Sequence, residues 1–394
     1  MFESIRPQNP DKIIMLIKQF RDDPREQKID LGVGVYRNAD GVTPVMKAVK
    51  DAEHQLWLEQ ETKAYTALAG DPGYHAAMRS LVLGDAVDED RIAALHTPGG
   101  TGAVRNAFEV VRLTSPDRTV WVSKPSWPNH LSMLDFLALP RAEYRYFDSE
   151  TRSVNFAAMM DDLSQAEDGD AIVLHGCCHN PTGADLSSVE WDELGAFLIN
   201  RGVVPIIDIA YQGFGDGIAE DVIGLRSFAG SFPEMLIAAS CSKNFGLYRE
   251  RTGILLAIAR DSRTRNTTQS LLAHLNRQNI SFPPDHGSRL VTMILQNDAL
   301  RTSWQDELNA INATLRDNRA RLAEELRRRS SSDRFGFISS HKGMFSLLGA
   351  SEDQVELMKK RHGIYLVSDS RINVAGLTDG NIPKMAEAML DVGM

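Results

Sequence analysis

The chain has 394 residues, of which 43% are hydrophobic and 24% charged, so it is long enough for two ordinary globular domains. Its 43 lysines and arginines against 53 aspartates and glutamates give a net charge of −10. This balance argues against nucleic acid or an anionic membrane as the main partner. Three cysteines, two of them adjacent, argue against a disulfide framework. The sequence has no zinc-binding motif, so we expect no metal site. No apolar run approaches the length of a membrane helix, about 20 residues, so we expect a cytoplasmic protein.

The first part of the chain predicts an arm, several helices and one short strand. Residues 1–10 contain two prolines and read as an extended arm, which needs a surface such as a second subunit to lie on. Asp11 can cap a helix whose apolar residues recur at helical spacing. The strand-like run Ile29–Tyr36 lacks the third glycine of a dinucleotide fingerprint, so we discount a Rossmann site. Helical patterns follow over 45–61 and up to Leu83.

A glycine-rich loop comes next, over residues 97–102, and it leads directly into a helical pattern. Gly100 and Thr101 would then lie at a helix N-terminus, where backbone amides and the helix dipole favour an anion. A plain glycine turn is the alternative interpretation of the same residues.

The middle of the chain alternates short apolar strands with helices, which predicts an α/β fold with a mostly parallel sheet covered by helices. Ligands of such sheets bind at the carboxyl ends of the strands. Unusual side chains follow the strands at five places: Trp127, Asn180, Asp208, Tyr211 and Lys243. A lysine held among small polar residues near other cations can act as a nucleophile toward a carbonyl, although a lone loop lysine usually points into water.

The last part predicts a smaller α/β domain. A long helical pattern runs from Trp304 to Arg329, and a closing helix runs from Ile382 to Val392. Between them lie strand-like runs at Phe335–Ile338, Met344–Leu348, Ile364–Val367 and Ser370–Val374.

Four motifs, in order, carry a resemblance to a known family. They are Pro125–His130, His175–Gly183, Ser240–Gly253 and Asp369–Gly376. Together they resemble the class I, pyridoxal-phosphate-dependent aminotransferases that act on aspartate and aromatic amino acids, over essentially the whole chain. The resemblance implies the fold type I of these transferases. It divides the chain into an arm (1–10), a first part of the small domain (11–42), a large cofactor-binding domain (43–300) and a second part of the small domain (301–394).

The resemblance also implies roles around the cofactor ring. Lys243 matches the Schiff-base lysine, which holds the cofactor aldehyde and moves a proton from the substrate α-carbon. Asp208 matches the carboxylate that pairs with the pyridine nitrogen. Asn180 and Tyr211 match the partners of the phenolic oxygen, and Trp127 matches the aromatic residue against the ring.

The phosphate and the surrounding residues have matches as well. Residues that match the phosphate site are Gly100, Thr101, Ser240, Arg251 and, from the neighbouring subunit, Tyr65. His130 is expected either to support the ring site from one layer further out or to be a structural histidine. Family members are homodimers with shared active sites, so the resemblance implies a second subunit on which the N-terminal arm can lie.

Substrate recognition follows from the same resemblance. Arg371 matches the arginine that binds the α-carboxylate, and Arg277 matches the one that reaches from the neighbouring subunit to a distal carboxylate. The other residues expected at the substrate are Gly34, Trp127, Asn180 and Phe282. Phe282 and Ala64 stand where strictly dicarboxylic members usually carry asparagines, which favours an aromatic substrate ring.

The sequence therefore predicts transamination between an aromatic amino acid, or aspartate or glutamate, and a 2-oxo acid such as 2-oxoglutarate. One alternative is an enzyme that acts mainly on aspartate. A second keeps the cofactor but acts as a lyase or decarboxylase. A third is a non-catalytic binding protein that retains the fold.

Overall fold

A computed structural model describes residues 2–6, 12–38 and 41–394 of the chain. Residue contacts divide it into a large unit, Pro44–Ala313, and a small unit that combines Met1–Thr43 with Thr314–Met394. The boundaries expected from the sequence fall after residues 42 and 300. The predicted arm is described only at residues 2–6, where Phe2–Ser4 forms a 3-10 turn, and the predicted helix cap Asp11 lies outside the described residues.

Strands and helices alternate through most of the described chain. The strands are β1 (Ile29–Asp30), β2 (Ile92–Pro98), β3 (Val120–Lys124), β4 (Arg141–Arg145), β5 (Ala171–His175), β6 (Val204–Ile209), β7 (Met235–Ser240), β8 (Thr252–Ile258), β9 (Phe345–Leu347), β10 (Ile364–Tyr365) and β11 (Arg371–Asn373). The helices are α1 (Lys12–Asp22), α2 (Lys47–Glu59), α3 (Pro72–Leu83), α4 (Gly99–Thr114), α5 (Pro128–Phe136), α6 (Phe156–Leu163), α7 (Ser188–Arg201), α8 (Ile223–Ser231), α9 (Ser262–Asn279), α10 (Asp285–Gln296), α11 (Asp298–Ser330), α12 (Phe337–Ser340), α13 (Glu352–Leu357) and α14 (Ile382–Asp391). Among the described residues, no helix combines the length and the apolar character that crossing a membrane requires.

The large unit is built on a seven-stranded sheet in the order β2-β8-β7-β6-β5-β3-β4. The neighbours from β4 through to β7 pair in parallel, whereas β8 is antiparallel to both β7 and β2. Strands β6 and β7 are buried along almost their whole length, as expected for a sheet covered on both faces. The predicted mostly parallel α/β fold is therefore confirmed.

Local signals in the sequence explain where the covering helices begin and end. The Asp71 carboxylate accepts the backbone N–H groups of Gly73 and Tyr74 at the start of α3, and Pro72 needs no such partner. Ser187 and Glu190 form a capping box at the start of α7, which ends at Gly202 with a φ of 68°. Helix α4 packs on the sheet through fully buried residues such as Phe108.

The small unit contains two strand pairs. Strand β1 pairs in parallel with β10, and β11 pairs antiparallel with β9. Only Ile29–Asp30 of the predicted strand 29–36 is a strand. The predicted strand Phe335–Ile338 is wrong, because Phe337–Ser340 is helical. The two buried residues, Phe335 and Ile338, are three apart, which is helical spacing.

Candidate active site

The carboxyl edge of the large sheet collects the side chains that follow its strands. Strand β3 leads to Trp127, β5 leads to Asn180, and β7 leads to Lys243. Asp208 is the second-last residue of β6, and Tyr211 follows that strand. Because these four strands are parallel, their ends share one edge of the sheet. The structure thus places all five side chains at that edge.

The loop that carries Lys243 joins β7 to β8 and is held by Trp304. The Trp304 ring stacks on Phe245 at 4.5 Å, and its Nε1–H donates to the backbone carbonyl of Asn244 at 2.6 Å. The half-buried Lys243 points its Nζ toward the Tyr211 ring, 4.9 Å from the ring centre. An amine held this way has a defined position at the edge of the sheet.

Asp208 is a buried carboxylate with a histidine partner. The Nε2 of His130, which is itself fully buried, lies 3.0 Å from Oδ2 of Asp208. Burial alone would raise the pKa of Asp208, but the hydrogen bond and charge of His130 hold the pKa below its usual 3.8. Asp208 is therefore ionised at neutral pH. A buried negative charge of this kind requires a cation or strong donor beside it.

Further polar side chains continue from the Nδ1 side of the His130 ring. Ser126 Oγ lies 3.0 Å from His130 Nδ1 and 3.4 Å from His175 Nε2. The His175 ring packs 4.2 Å from that of His179, whose two nitrogens are within 3.1 Å of serine and threonine hydroxyls. Burial, together with the charge of His130, lowers the pKa of His175 to about 3, so its imidazole is neutral.

Sequence reasoning did not assign roles to Ser126, His175 and His179. A single histidine forms no recognisable spacing pattern with its neighbours in the sequence. The residues that it contacts can be recognised only once the strands are aligned in the sheet. One such signal exists in the sheet: His175 ends β5 directly opposite Asp208 of β6. A histidine at the carboxyl end of a strand beside the predicted carboxylate could have been singled out for that reason.

Three glycines let the start of α4 come close to β7 and β8. A β-carbon on Gly100 would lie 2.8 Å from Cβ of Ser240, and one on Gly253 would lie 2.4 Å from the backbone carbonyl carbon of Gly99. A β-carbon on Gly99 itself would lie 2.4 Å from a guanidinium nitrogen of Arg251. Any other residue at these positions would fill the space, so the glycines create a concave corner at a helix N-terminus.

The corner, formed by Gly99, Gly100, Ser240 and Arg251, has the donors of an anion site. Helix α4 begins at Gly99 with Thr101 in its first turn, so backbone amides of that turn have no partner within the helix. The Arg251 Nη1 donates to Ser242 Oγ at 3.2 Å, which turns the guanidinium toward the Ser240 end of β7. A helix N-terminus, a hydroxyl and a guanidinium together suit a phosphate dianion.

A second group of predicted site residues lies together at the surface of the large unit. The Tyr65 ring, which belongs to a residue 84% exposed, stacks on Phe282 at 4.6 Å. The guanidinium carbon of Arg277 lies 6.0 Å from the Phe282 ring centre, and its Nη1 donates to Ser281 Oγ at 2.7 Å. Ala64 precedes this group and is exposed. Tyr65 therefore presents an aromatic ring to water, next to the half-buried ring of Phe282.

Arg371 and Gly34 belong to the small unit. Arg371 is buried, and its guanidinium carbon lies 4.4 Å from the centre of the Phe345 ring. Its Nη2 donates to the carbonyl of Gly32 at 3.3 Å. A β-carbon on Gly34 would lie 3.0 Å from the edge of the Phe345 ring, so Gly34 leaves room for that ring. The three residues form one packed corner of the small unit.

One cluster of possible metal ligands occurs among the described residues, at Cys177, Cys178 and Asp221, with ligand atoms within 4.8 Å of one another. The Asp221 carboxylate already accepts backbone N–H groups of residues 213, 215, 216 and 217. Its lone pairs are therefore engaged in holding the loop after Tyr211. The expectation that the protein has no metal site remains a prediction.

Comparison with known proteins gives one consistent result. The family model for aminotransferases of class I and II matches residues 26–389. The aromatic-amino-acid aminotransferase of Paracoccus denitrificans is 52% identical over the full length of both chains. The aspartate aminotransferase of Salmonella typhi is 40% identical, again over both full lengths.

Solved structures agree with these relatives. An aromatic amino acid aminotransferase with 3-indolebutyric acid superposes with a TM-score of 0.98 at 52% identity and full coverage of both chains. The aromatic-amino-acid aminotransferase of Burkholderia pseudomallei, covalently bound to pyridoxal phosphate, superposes with a TM-score of 0.97 at 36% identity, over 100% of this chain and 99% of that one.

The residues of this chain fit that cofactor. The glycine-lined corner at Gly99 and Arg251 suits the phosphate, the ionised Asp208 suits a protonated ring nitrogen, and the amine of Lys243 suits the aldehyde. These groups lie at one edge of one sheet, as a single cofactor requires. The chain belongs to the class I and II aminotransferases, which use pyridoxal phosphate.

Proposed function

We propose that this protein moves the amino group of an aromatic L-amino acid, tyrosine, phenylalanine or tryptophan, to a 2-oxo acid such as 2-oxoglutarate, and that it also accepts aspartate and glutamate. The observation that carries the proposal is the ionised, buried Asp208 at the same sheet edge as Lys243. Relatives named as aromatic-amino-acid and aspartate aminotransferases support both substrate classes. Their names are those of enzymes and give no support to a non-catalytic binding protein.

Each residue of the edge has a chemical task in this proposal. When bound, pyridoxal phosphate supplies an aldehyde for the amino group and a ring that withdraws electrons from the α-carbon. Lys243 would take the proton from the α-carbon and deliver it to the cofactor carbon two bonds away, on the other side of the amino nitrogen, which requires its amine to be neutral and correctly placed. Asp208, kept ionised by His130, holds the proton on the ring nitrogen. Asn180 and Tyr211 donate hydrogen bonds to the phenolic oxygen, and Trp127 packs against the ring.

The anion corner is proposed to bind the phosphate. Its donors are the first amides of α4 with Thr101, the Ser240 hydroxyl and the Arg251 guanidinium. Tyr65 would complete it from a neighbouring subunit. The high exposure of Tyr65 supports that assignment, because a ring 84% exposed in one chain is available to a second copy. We therefore propose a homodimer with shared active sites.

Two arginines are proposed to bind the substrate. Arg371 binds the α-carboxylate through its guanidinium fork. Arg277 of the neighbouring subunit binds the distal carboxylate of a dicarboxylic substrate. Its contact with the Phe282 ring supports a mixed specificity, since the same group presents a cation and an aromatic face.

The proposed location is the cytoplasm. All three cysteines lie in the described part of the chain, are buried and are thiols rather than disulfides. Buried thiols are the usual state of cysteine in a reducing compartment.

A half-reaction titration tests the function. Purified protein saturated with pyridoxal phosphate is mixed with one amino acid at a time, without an acceptor, and the absorbance of the bound cofactor is followed. We expect saturable conversion by phenylalanine, tyrosine and aspartate, reversal by 2-oxoglutarate, and no conversion in Lys243→Ala. Release of ammonia or carbon dioxide without an acceptor would instead identify a lyase or decarboxylase. Comparable conversion by natural protein and Lys243→Ala would refute the assigned role of the amine.

A further inference from the structure

The small unit contains a buried arginine that the proposed chemistry does not use. Arg319, on α11, is only 1% exposed. Its three nitrogens all donate hydrogen bonds, and the acceptors lie on one short segment, residues 338–346. The bonds are Nε to Gly343 O (3.3 Å), Nη1 to Ile338 O (3.1 Å) and Ser346 Oγ (2.6 Å), and Nη2 to Lys342 O (3.2 Å), Gly343 O (2.8 Å) and Phe345 O (2.7 Å).

The pattern of these bonds requires an arginine. A planar fork with five N–H groups can reach this many acceptors at once, and the single amine of lysine cannot. Because Arg319 only donates, Ser346 Oγ accepts from it and has its own proton left for His341 Nδ1, 3.1 Å away. Moving a guanidinium out of water is costly unless its N–H groups find acceptors, so the buried Arg319 depends on the carbonyls of this segment staying in place.

The segment leads directly to the residue that supports Arg371. It continues into β9, which pairs with β11 so that Phe345 lies opposite Asn373 and Leu347 lies opposite Arg371. The Phe345 ring is 4.4 Å from the guanidinium carbon of Arg371 and fits against the space left by Gly34. The carbonyl of Phe345 is itself an acceptor of the Arg319 fork, at 2.7 Å.

We propose that Arg319 is a positioning residue for substrate binding: its fork fixes the start of β9, the Phe345 ring is fixed with it, and the ring sets the direction of the Arg371 guanidinium. The inference rests on the proposed role of Arg371 in binding the α-carboxylate. Side chains that bind substrate must be held close to their working geometry, and displacement of about 1 Å can lower the rate by as much as 100-fold.

The test uses the holoenzyme and the single-turnover half-reaction with phenylalanine and with aspartate. Arg319→Met removes the fork and keeps an unbranched apolar stem, and Arg319→Lys keeps the charge and loses the fork. We expect both variants to raise the half-saturating concentration of either donor about tenfold or more. We expect the affinity for pyridoxal phosphate to stay within about twofold of the natural protein, because the phosphate and ring residues lie in the large unit.

Two control variants separate positioning from loss of stability. Leu322→Ala, at a fully buried position of the same helix, destabilises the fold but removes no hydrogen bond to residues 338–346, and Arg316→Met removes an exposed arginine of that helix. Neither should change the half-saturating concentration of the donor. An equal increase in Leu322→Ala and Arg319→Met would overturn the inference. If the Arg319 variants do not fold, Ser346→Ala, which removes one acceptor, should give a smaller increase of the same kind, and no increase would also overturn it.

A further pair of measurements distinguishes this inference from the function on which it rests. Arg371→Lys should raise the half-saturating concentration strongly. No increase in Arg371→Lys refutes the carboxylate assignment itself. An increase in Arg371→Lys with none in Arg319→Met refutes only the positioning role.

A double variant tests whether Arg319 acts through the Phe345 ring. The half-saturating concentration in Arg319→Met/Phe345→Leu should rise by less than the product of the increases in Arg319→Met and Phe345→Leu, because both changes act through the same ring.

Discussion

Replacing His130 by phenylalanine tests how Asp208 is kept ionised. The change removes the N–H that lies 3.0 Å from Asp208 and keeps a ring to pack against Trp127 and Phe108, at 5.2 and 6.4 Å. A hydrogen bond to a charged group contributes about 1.5–3 kcal/mol, and one pKa unit corresponds to about 1.4 kcal/mol. The pKa of Asp208 in the folded variant should therefore rise.

The sign of the effect on stability follows from the direction of the shift. The folded-state pKa of Asp208 lies below its usual 3.8, so its contribution to stability is present above pH 3.8 and is lost as the pH falls through the folded-state value. At pH 7 the variant should have a free energy of unfolding about 1.5–3 kcal/mol lower than the natural protein. The difference should shrink as the pH falls through the folded-state pKa of the carboxyl in the variant, and it should vanish once the pH is also below the folded-state value of the natural protein.

The measurement is urea unfolding of the cofactor-free protein between pH 3 and pH 8, followed by circular dichroism. The cofactor is removed because a bound ligand adds its own stability. His179→Phe is the matched control: His179 is a buried histidine of the same group that bonds Ser123 and Thr182 instead of Asp208. Burial holds the pKa of His179 well below its usual 6.5, so this histidine gains a proton only on unfolding when the pH is below 6.5. The loss of stability in His179→Phe should therefore change from pH 6.5 downward, whereas the loss in His130→Phe should change only as the pH falls through the folded-state pKa values of Asp208. A loss in His130→Phe that is constant from pH 8 to pH 3 would refute the reasoning.

Two further predictions concern the anion corner and the aromatic pair. Gly253→Ala places a β-carbon 2.4 Å from the carbonyl carbon of Gly99, so titration of the cofactor-free protein should show pyridoxal phosphate binding about tenfold more weakly. Gly380→Ala, whose β-carbon meets its nearest neighbour at 3.9 Å, should bind normally, and equal affinities in the two variants would argue against the corner. Phe282→Asn removes the ring stacked on Tyr65 and should lower the ratio of kcat/KM for phenylalanine to that for aspartate about three- to tenfold. An unchanged ratio would show that the aromatic preference lies elsewhere.

The large sheet could be predicted because its sequence signal is local. Short runs of apolar residues such as Ile206, Ile207 and Ile237 alternate with helical patterns, and this pattern has few other solutions than a covered parallel sheet. The small unit was harder to predict. Its strands are two or three residues long, and the Phe335–Ile338 run carries alternating aromatics on what is a helical turn. Such short elements take their conformation from tertiary contacts, which a sequence pattern does not contain.

The candidate site shows the same contrast between residues marked by a local sequence signal and contacts that depend on the tertiary structure. Residues such as Lys243 and Asp208 could be singled out because each stands at the end of a strand, and topology alone then brings them to one edge. Other contacts could not be predicted in this way. His130 and its partner Asp208 are 78 residues apart in the sequence, and most acceptors of the Arg319 fork are backbone carbonyls, such as those of Gly343 and Phe345. Nothing in the identity of those acceptor residues could mark them.

The direction of β8 has a consequence for protein engineering. Because β8 runs against β7, a single uninterrupted connection, residues 241–251, carries both the amine of Lys243 and the guanidinium of Arg251. New chain termini opened inside that connection, between Lys243 and Arg251, would leave every ladder of the sheet intact but would put these two residues at opposite ends of the permuted chain. The amine and the guanidinium could then be supplied on separate fragments, and recovery of cofactor binding on mixing would report the reassembly of the fragments.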